Sequence, residues 1–480
     1  MKIKKVIIIA LLLATVGVFT GCDFTAFANS AETIQPTEAV TEPEPPKKNC
    51  KLQIQSYDKQ NLTDEISYTV EKVGKNGEAT VVENVNTTNG LGHIDLEAGD
   101  YRIVANAGDF KKSFTVLDNE TSMVIEAENN KMYQVLSSAN GVCVVGDSIT
   151  IGSSSGGYGW YDGLMDRFPN IKTIDVAATG GQTSASIFDN TNDVQAINNS
   201  KADTYIIALG INDVIYREKK TNSTTYTTAE YIKKLEDLVE YINSKNTEKP
   251  IKFVFIAPFE YVNKHSYQMP KYIHRENTHQ EYTIALSNWC SMNGYAFTAP
   301  MNYVKNTLEA VDNASEYTVD DVHPAYPLGT QLYSKAVYES SVVDLNGSLR
   351  ISQKFYNESN RNFADSNYKT YPIDYQQVSV DNNIVSKSRF TIKDYNTGKY
   401  VALKENSKGE LELEELSNIP HYYYPDENGE ITINNLPKGG YIVNLKDNSL
   451  GYTSYLDTKI VFVNGGDITT NAYIHMKNNK

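Results

Sequence analysis

Residues 142–150 read Val-Cys-Val-Val-Gly-Asp-Ser-Ile-Thr. Four apolar residues run without a polar break into a glycine, and a serine follows two positions later. A short apolar run bounded by glycine reads as a strand buried on both faces. The same device recurs further along the chain. Residues 171–176 run into Ala178-Thr179-Gly180-Gly181-Gln182-Thr183, and residues 205–209 run into Gly210-Ile211-Asn212-Asp213. Residues 251–257 and 296–299 are two more apolar runs. Between them, residues 229–242 carry apolar side chains at 231, 232, 235, 238, 239 and 242, the period of a helix with one buried face. Thr227 and Glu230 are spaced as a capping box before it. A second amphipathic helix is expected over about 327–340. Strands alternating with helices predict an α/β domain over 132–343, a parallel sheet covered on both faces. Ligands bind such sheets at the carboxyl ends of the strands. The chemistry is therefore expected just after each apolar run.

Four short motifs stand there: Gly146-Asp147-Ser148, the loop around Gly181, Gly210-Ile211-Asn212-Asp213, and Asp320-Asp321-Val322-His323-Pro324. Together they read as a site for acyl transfer. Ser148 is the candidate nucleophile and His323 the base that takes its proton. Asp320, three residues earlier, can accept the imidazole Nδ1–H and fix the tautomer. A tetrahedral oxyanion needs preorganised donors, and the backbone N–H groups of Ser148 and Gly181 with the side-chain amide of Asn212 are the candidates. Asp147 and Asp213 are expected to brace loops, and Asp321 to face solvent. His265, His274 and His279 match no zinc spacing, no metal is expected, and the segment 258–280 around them is expected to form a lid or crevice wall. Cys143 and Cys290 read as buried thiols. The segments bordering Ser148 offer Ser153, Ser154, Ser155, Tyr158, Trp160, Tyr161, Gln182, Thr183 and Tyr216. Few aliphatics accompany them beyond Ile149, Ile151, Ile187, Val214 and Ile215.

The four blocks, in this order, resemble the SGNH family of GDSL-type esterases. The stretch Lys201-Ala-Asp-Thr-Tyr-Ile-Ile-Ala-Leu-Gly-Ile-Asn-Asp213 is similar to that family's third-block run. The resemblance covers about 200 residues. It implies a three-layer, flavodoxin-like domain and a cofactor-free serine hydrolase, with Ser148, Gly181, Asn212, Asp320 and His323 as its named residues. The first block departs from the family in reading GDSIT. The second has Val176-Ala177-Ala178 where the family has an Asn shortly before the Gly. The hydrolase elbow G-x-S-x-G is absent, which argues against the α/β-hydrolase fold.

On either side the pattern changes. Residues 50–128 show short alternating runs separated by turn residues, as in a small β-sandwich. Residues 387–478 repeat the theme. "GHIDLEAGDYRIVANAG" from Gly92 and "GEITINNLPKGGYIVNLKD" from Gly429 share a strand, a Gly-bearing turn and a strand opening on Tyr. Both copies resemble prealbumin-like or SpaA-type β-sandwich modules of bacterial surface proteins. Each is expected to fold without the catalytic domain, and residues 344–386 are expected to be linker.

The N-terminus reads as an export signal. Lys2, Lys4 and Lys5 precede an apolar run over 6–19, too short to span a bilayer comfortably. Phe19-Thr20-Gly21-Cys22 resembles a bacterial lipoprotein lipobox, which implies a signal peptide over 1–21 and lipidation at Cys22. Ala26-Phe27-Ala28 offers cleavage and simple secretion instead. Residues 22–49, rich in Pro, Thr and Glu, read as a disordered tether. Membrane contact is expected only through that lipid anchor.

Composition narrows the partners. A net charge of −15 over 480 residues disfavours a nucleic-acid backbone as ligand. Four cysteines exclude a disulfide scaffold. The reading is an extracytoplasmic esterase for short acyl, O-acetyl, esters on a carbohydrate polymer. A lipase, lysophospholipase or thioesterase on the same machinery is the alternative, and a non-enzymatic surface adhesion protein with an SGNH core the second.

Overall fold

The computed structural model describes residues 50–58, 61–62, 66–74, 78–106, 111–117, 121–128, 131–219, 227–245, 250–262, 273–341, 346–358, 375–385, 387–448, 451–465 and 468–479. The expected export signal, Cys22 and the tether lie outside these residues. Eight strands, β1 (Cys50–Asp58) to β8 (Ser122–Glu128), form two four-stranded sheets among the described residues. Leu52, Ile54 and Leu96 of one sheet pack against Tyr68, Val70 and Ile103 of the other. The Tyr68 hydroxyl meets Ser56 across that core.

The central domain carries β9 (Gly141–Gly146), β10 (Thr173–Ala178), β11 (Thr204–Ala208), β12 (Lys252–Ile256) and β13 (Ala296–Thr298). They pair in parallel in the order β10-β9-β11-β12-β13. Successive side chains alternate between two cores. Val142, Val144, Ile206, Val254 and Ile256 face one. It is covered by α1 (Lys131–Ser137), α2 (Leu164–Arg167), α7 (Met301–Ala310) and α8 (Leu328–Glu339). Cys143, Val145, Tyr205, Ile207, Phe253 and Phe255 face the other, under α3 (Thr191–Asn199), α4 (Ile211–Lys219), α5 (Thr228–Lys245) and α6 (Ile273–Asn293). This is why the strands read as unbroken apolar runs. The capping box forms at α5: Glu230 N–H donates to Thr227 Oγ1 at 3.1 Å, and Thr227 N–H to Glu230 Oε2 at 2.6 Å.

The C-terminal part differs from expectation at its start. Asn346–Glu358, expected within a linker, is strand β14, paired with β19 (Glu430–Pro437) and β23 (Thr469–Asn478). It belongs to a ten-stranded ladder, β14 to β23, wrapped around one core that includes Leu349, Ile392, Ile433, Val443 and Ile474. Leu349, Ile351, Gln353 and Phe355 all point inward. The polar Gln353 breaks the alternation, and its amide donates to the Ser388 hydroxyl at 2.7 Å. The sequence repeat is also a structural one: Tyr101 donates its hydroxyl to the Glu97 carbonyl and Tyr441 to the Pro437 carbonyl, four residues back in each copy.

Strand β22 (Thr458–Val463) stands at the end of that ladder, and the central domain covers its open edge. Asn277 donates to the Thr458 carbonyl (2.8 Å) and accepts the Ile460 N–H (2.9 Å). Gln280 accepts the Phe462 N–H (2.7 Å), and Asn302 donates to the Phe462 carbonyl (3.0 Å). Three side chains thus replace a missing strand. Ile284, Ala257 and Ala299 pack on Ile460 and Phe462 beside them. Lys459 pairs with Glu276 there, both nearly buried.

Candidate active site

The sheet order reverses between β9 and β11, because β10 returns to the far side of β9. A crevice opens at such a point above the strand ends. Ser148 stands two residues past β9, and Asn212 is the second residue of α4, just past β11. Gly210 makes that connection possible. Its φ is 137°, and a Cβ there would lie 2.5 Å from Pro258 Cγ.

His323 reaches Ser148 from the loop between α7 and α8. Its Nε2 lies 2.9 Å from Ser148 Oγ, and its Nδ1 2.9 Å from Asp320 Oδ2. The carboxylate can only accept, so Nδ1 carries the proton and Nε2 presents its lone pair to the serine hydroxyl. Asp320 Oδ1 accepts the N–H groups of Val322 and His323, both at 2.7 Å, which sets the turn that aims the ring. Burial raises the Asp320 carboxyl's pKa, but the bonds from His323 and Val322 outweigh it and hold it below the usual value.

The second and third blocks are hung together. Asn212 Nδ2 donates to the Gln182 carbonyl at 2.9 Å, and the buried Asp213 carboxylate accepts the Ser184 N–H and hydroxyl. Gly181 lies exposed at the turn between them with φ 77°, a left-handed conformation that favours glycine. Asp147 accepts the Ile149 N–H at 3.0 Å and braces the turn that carries Ser148. Burial drives its pKa up to about 7, helped by the neighbouring Asp213 charge, and burial drives Asp213 up to about 6.

Several expected neighbours of the site stand elsewhere. Trp160 is fully buried in the core and donates to Thr150 Oγ1 at 3.1 Å, so it lines no pocket. Gln182 and Thr183 are buried, as are Ile149, Ile187 and Val214. Ser155 is buried too, and its hydroxyl donates to the Pro324 carbonyl at 2.6 Å, tying the nucleophile's loop to the histidine's. Tyr158 and Tyr326 stack beside that bond, ring centroids 4.0 Å apart. The Tyr216 side chain and residues 263–272, with His265, lie outside the described residues.

Residues 273–280, expected in a lid, instead begin α6, which packs against β22. His279 is fully buried, and burial with the charges of Lys305 and Arg275 lowers its ring to about 3, keeping it neutral. Asp321 is half-buried rather than solvent-facing, and its carbonyl accepts the Val262 N–H at 2.8 Å. Two residues before Val262, Glu260 accepts from Gln280 and from Lys305, each at 2.6 Å. Gln280 in turn holds the edge of β22, so the C-terminal module is linked to the histidine's loop by consecutive bonds. Ser155, Glu260 and Gln280 carried no motif, and only their neighbours in space mark them.

Residues 144–326 match the model of the GDSL-like lipase/acylhydrolase family. The match lies within the central domain, which is similar to that family. Ser148, Gly181, Asn212, Asp320 and His323 all fall inside the matched segment, and the enzyme is a hydrolase of ester bonds. No curated protein matches the chain. Among solved structures it is similar to LAE5, an alpha/beta hydrolase enzyme from the metagenome of Lake Arreo, Spain, with 19% identity over 42% of this chain and 94% of that one and a TM-score of 0.32. It is similar to Axe2, an acetylxylan esterase from Geobacillus stearothermophilus, with 20% identity over 43% and 95% and a TM-score of 0.33. It is also similar to GBS52, the minor pilin of Streptococcus agalactiae, with 13% identity over 29% and 48% and a TM-score of 0.20.

Proposed function

We propose that the GDSL-type domain hydrolyses short acyl esters, O-acetyl groups on carbohydrate, outside the cytoplasm. The observation that carries this reading is the in-line set Asp320–His323–Ser148, with 2.9 Å at each ring nitrogen. In this scheme Ser148 Oγ attacks the ester carbonyl as its proton passes to His323 Nε2. Asp320 stabilises the imidazolium. The Ser148 and Gly181 N–H groups and the second hydrogen of the Asn212 amide hold the oxyanion. Collapse returns the proton to the departing alcohol, and water repeats the sequence on the acyl-enzyme. No cofactor or metal enters any step.

The short acyl preference rests on what surrounds Ser148. Of the five aliphatics bordering Ser148, Ile149, Ile187 and Val214 are buried, which leaves only Ile151 and the half-buried Ile215 for a long-chain channel that would gain about 0.8 kcal/mol per buried CH₂. Export rests on the basic and apolar N-terminal run, with Cys22 as the lipidation site or cleavage after Ala28. The test is hydrolysis of p-nitrophenyl acetate, butyrate and octanoate. The expected order falls with chain length. A kcat/KM that climbs steadily toward octanoate would move the assignment to a lipase.

A further inference from the structure

A groove of about 660 Å³ opens at the stacked Tyr158–Tyr326 pair and continues between α2 and α8. Two connections keep it close to the catalytic residues. Tyr326 lies three residues past His323, so their Cα atoms are within about 11 Å. Tyr158 sits on the nucleophile's loop, which the Ser155–Pro324 bond ties to the histidine's loop. The two tyrosines are 47% and 54% exposed, so half of each aromatic surface is open to a ligand.

The lining of the groove sorts the possible ligands. Beyond the tyrosines it presents Asp162, Asp166, Arg167, Gln331, Ser334 and Lys335, with no Leu, Ile, Val or Met. An acyl chain would find no aliphatic wall. A polyanion would meet two carboxylates, and the two cations balance them to no net charge. A polyhydroxylated, uncharged chain fits both halves of the surface. Its hydroxyls can donate to the carboxylates and accept from Arg167, Lys335 and Gln331, while its C–H faces stack on tyrosine rings. We propose that this groove binds the uncharged oligosaccharide that bears the ester, on the alcohol side of the scissile bond. The proposal rests on the esterase reading above for its orientation, and deepens it by naming the residues that recognise the polymer.

The experiment separates the two. Ser148→Ala protein, which retains the acyl group on its ligand, is titrated calorimetrically with a panel of partially O-acetylated xylo-, manno- and gluco-tetrasaccharides. Carboxymethylated tetrasaccharides and lysophosphatidylcholine serve as contrasting probes. At least one neutral tetrasaccharide is expected to bind. Adding Tyr326→Ala or, separately, the exposed helix substitution Gln331→Ala should weaken it about tenfold or more, with melting temperatures kept near the parent's. Absence of binding by every neutral tetrasaccharide, tighter binding of either contrasting probe, or a Kd unmoved by both substitutions would overturn the groove assignment. Failure of the wild-type protein to hydrolyse any p-nitrophenyl ester would overturn the esterase reading instead, and leaves the binding result standing by itself.

Discussion

Asp147, one residue before the nucleophile, is fully buried, and its Oδ2 has no hydrogen-bond partner. With its pKa raised to about 7, the folded chain keeps a proton that the unfolded chain releases near pH 4. Stability is therefore lost as the pH rises through that window, by an amount on the order of a few kcal/mol. Asp147→Asn should melt higher than wild type at pH 8, with the gap closing toward pH 5. A gap independent of pH between 5 and 8 would refute this account of Asp147. Asn212 holds the Gln182 carbonyl with one amide hydrogen, and in the proposed scheme the other donates to the oxyanion. Asn212→Ala is expected to lower kcat by about 10²–10³, the cost of one oxyanion donor. A change confined to KM would make it a substrate-binding residue.

The loop over 148–161 and the loop over 317–327 act as a pair, joined by the buried Ser155 hydroxyl. Ser155→Ala leaves the Pro324 carbonyl buried without that partner, a cost of about 1–3 kcal/mol. Because the carbonyl adjoins His323, kcat for p-nitrophenyl acetate should fall roughly tenfold through misplacement of the base. Unaltered kcat with a lowered melting temperature would show the bond to be structural alone. At this scale the sequence was legible where one face of an element is buried or both are uniformly apolar. The strand runs from 142 and 205 and the capping box at Thr227 are of that kind. It was opaque where packing is two-sided and polar. Helix α6 offers Asn277 and Gln280 to a strand edge and Leu286 and Trp289 to the core, so no single apolar stripe marks it. Strand β14 hides behind Gln353, an inward polar residue whose partner is 35 positions away.

From Lys48 to Lys480 the chain forms one compact unit, and the C-terminal module is built into it. The expectation that this module folds independently therefore needs revision. Cut free at residue 345, it would expose the edge of β22 and leave Lys459 without Glu276. Such an edge is a template for pairing with another chain. The fragment 346–480 is expected to self-associate or precipitate, and a monodisperse monomer by light scattering would contradict this. The Lys305–Glu260 pair, whose carboxylate is buried, is the matching test on the catalytic side. Lys305→Met leaves that carboxylate with Gln280 as its remaining donor and should cost about 3 kcal/mol in urea unfolding. The candidate catalytic set was readable from four motifs, because acyl-transfer chemistry demands particular residue types at strand ends. Its support was not, since Glu260, Gln280 and Phe462 meet only in three dimensions.

The proposed chemistry turns on Ser148 being the nucleophile with His323 as its base. The most direct measurement is kcat/KM for p-nitrophenyl acetate with purified wild-type and Ser148→Ala proteins of matched melting temperature. Loss of a triad member removes on the order of 10³-fold or more of the rate. A drop of at least that size is expected in Ser148→Ala. Turnover within a few fold of wild type would contradict it.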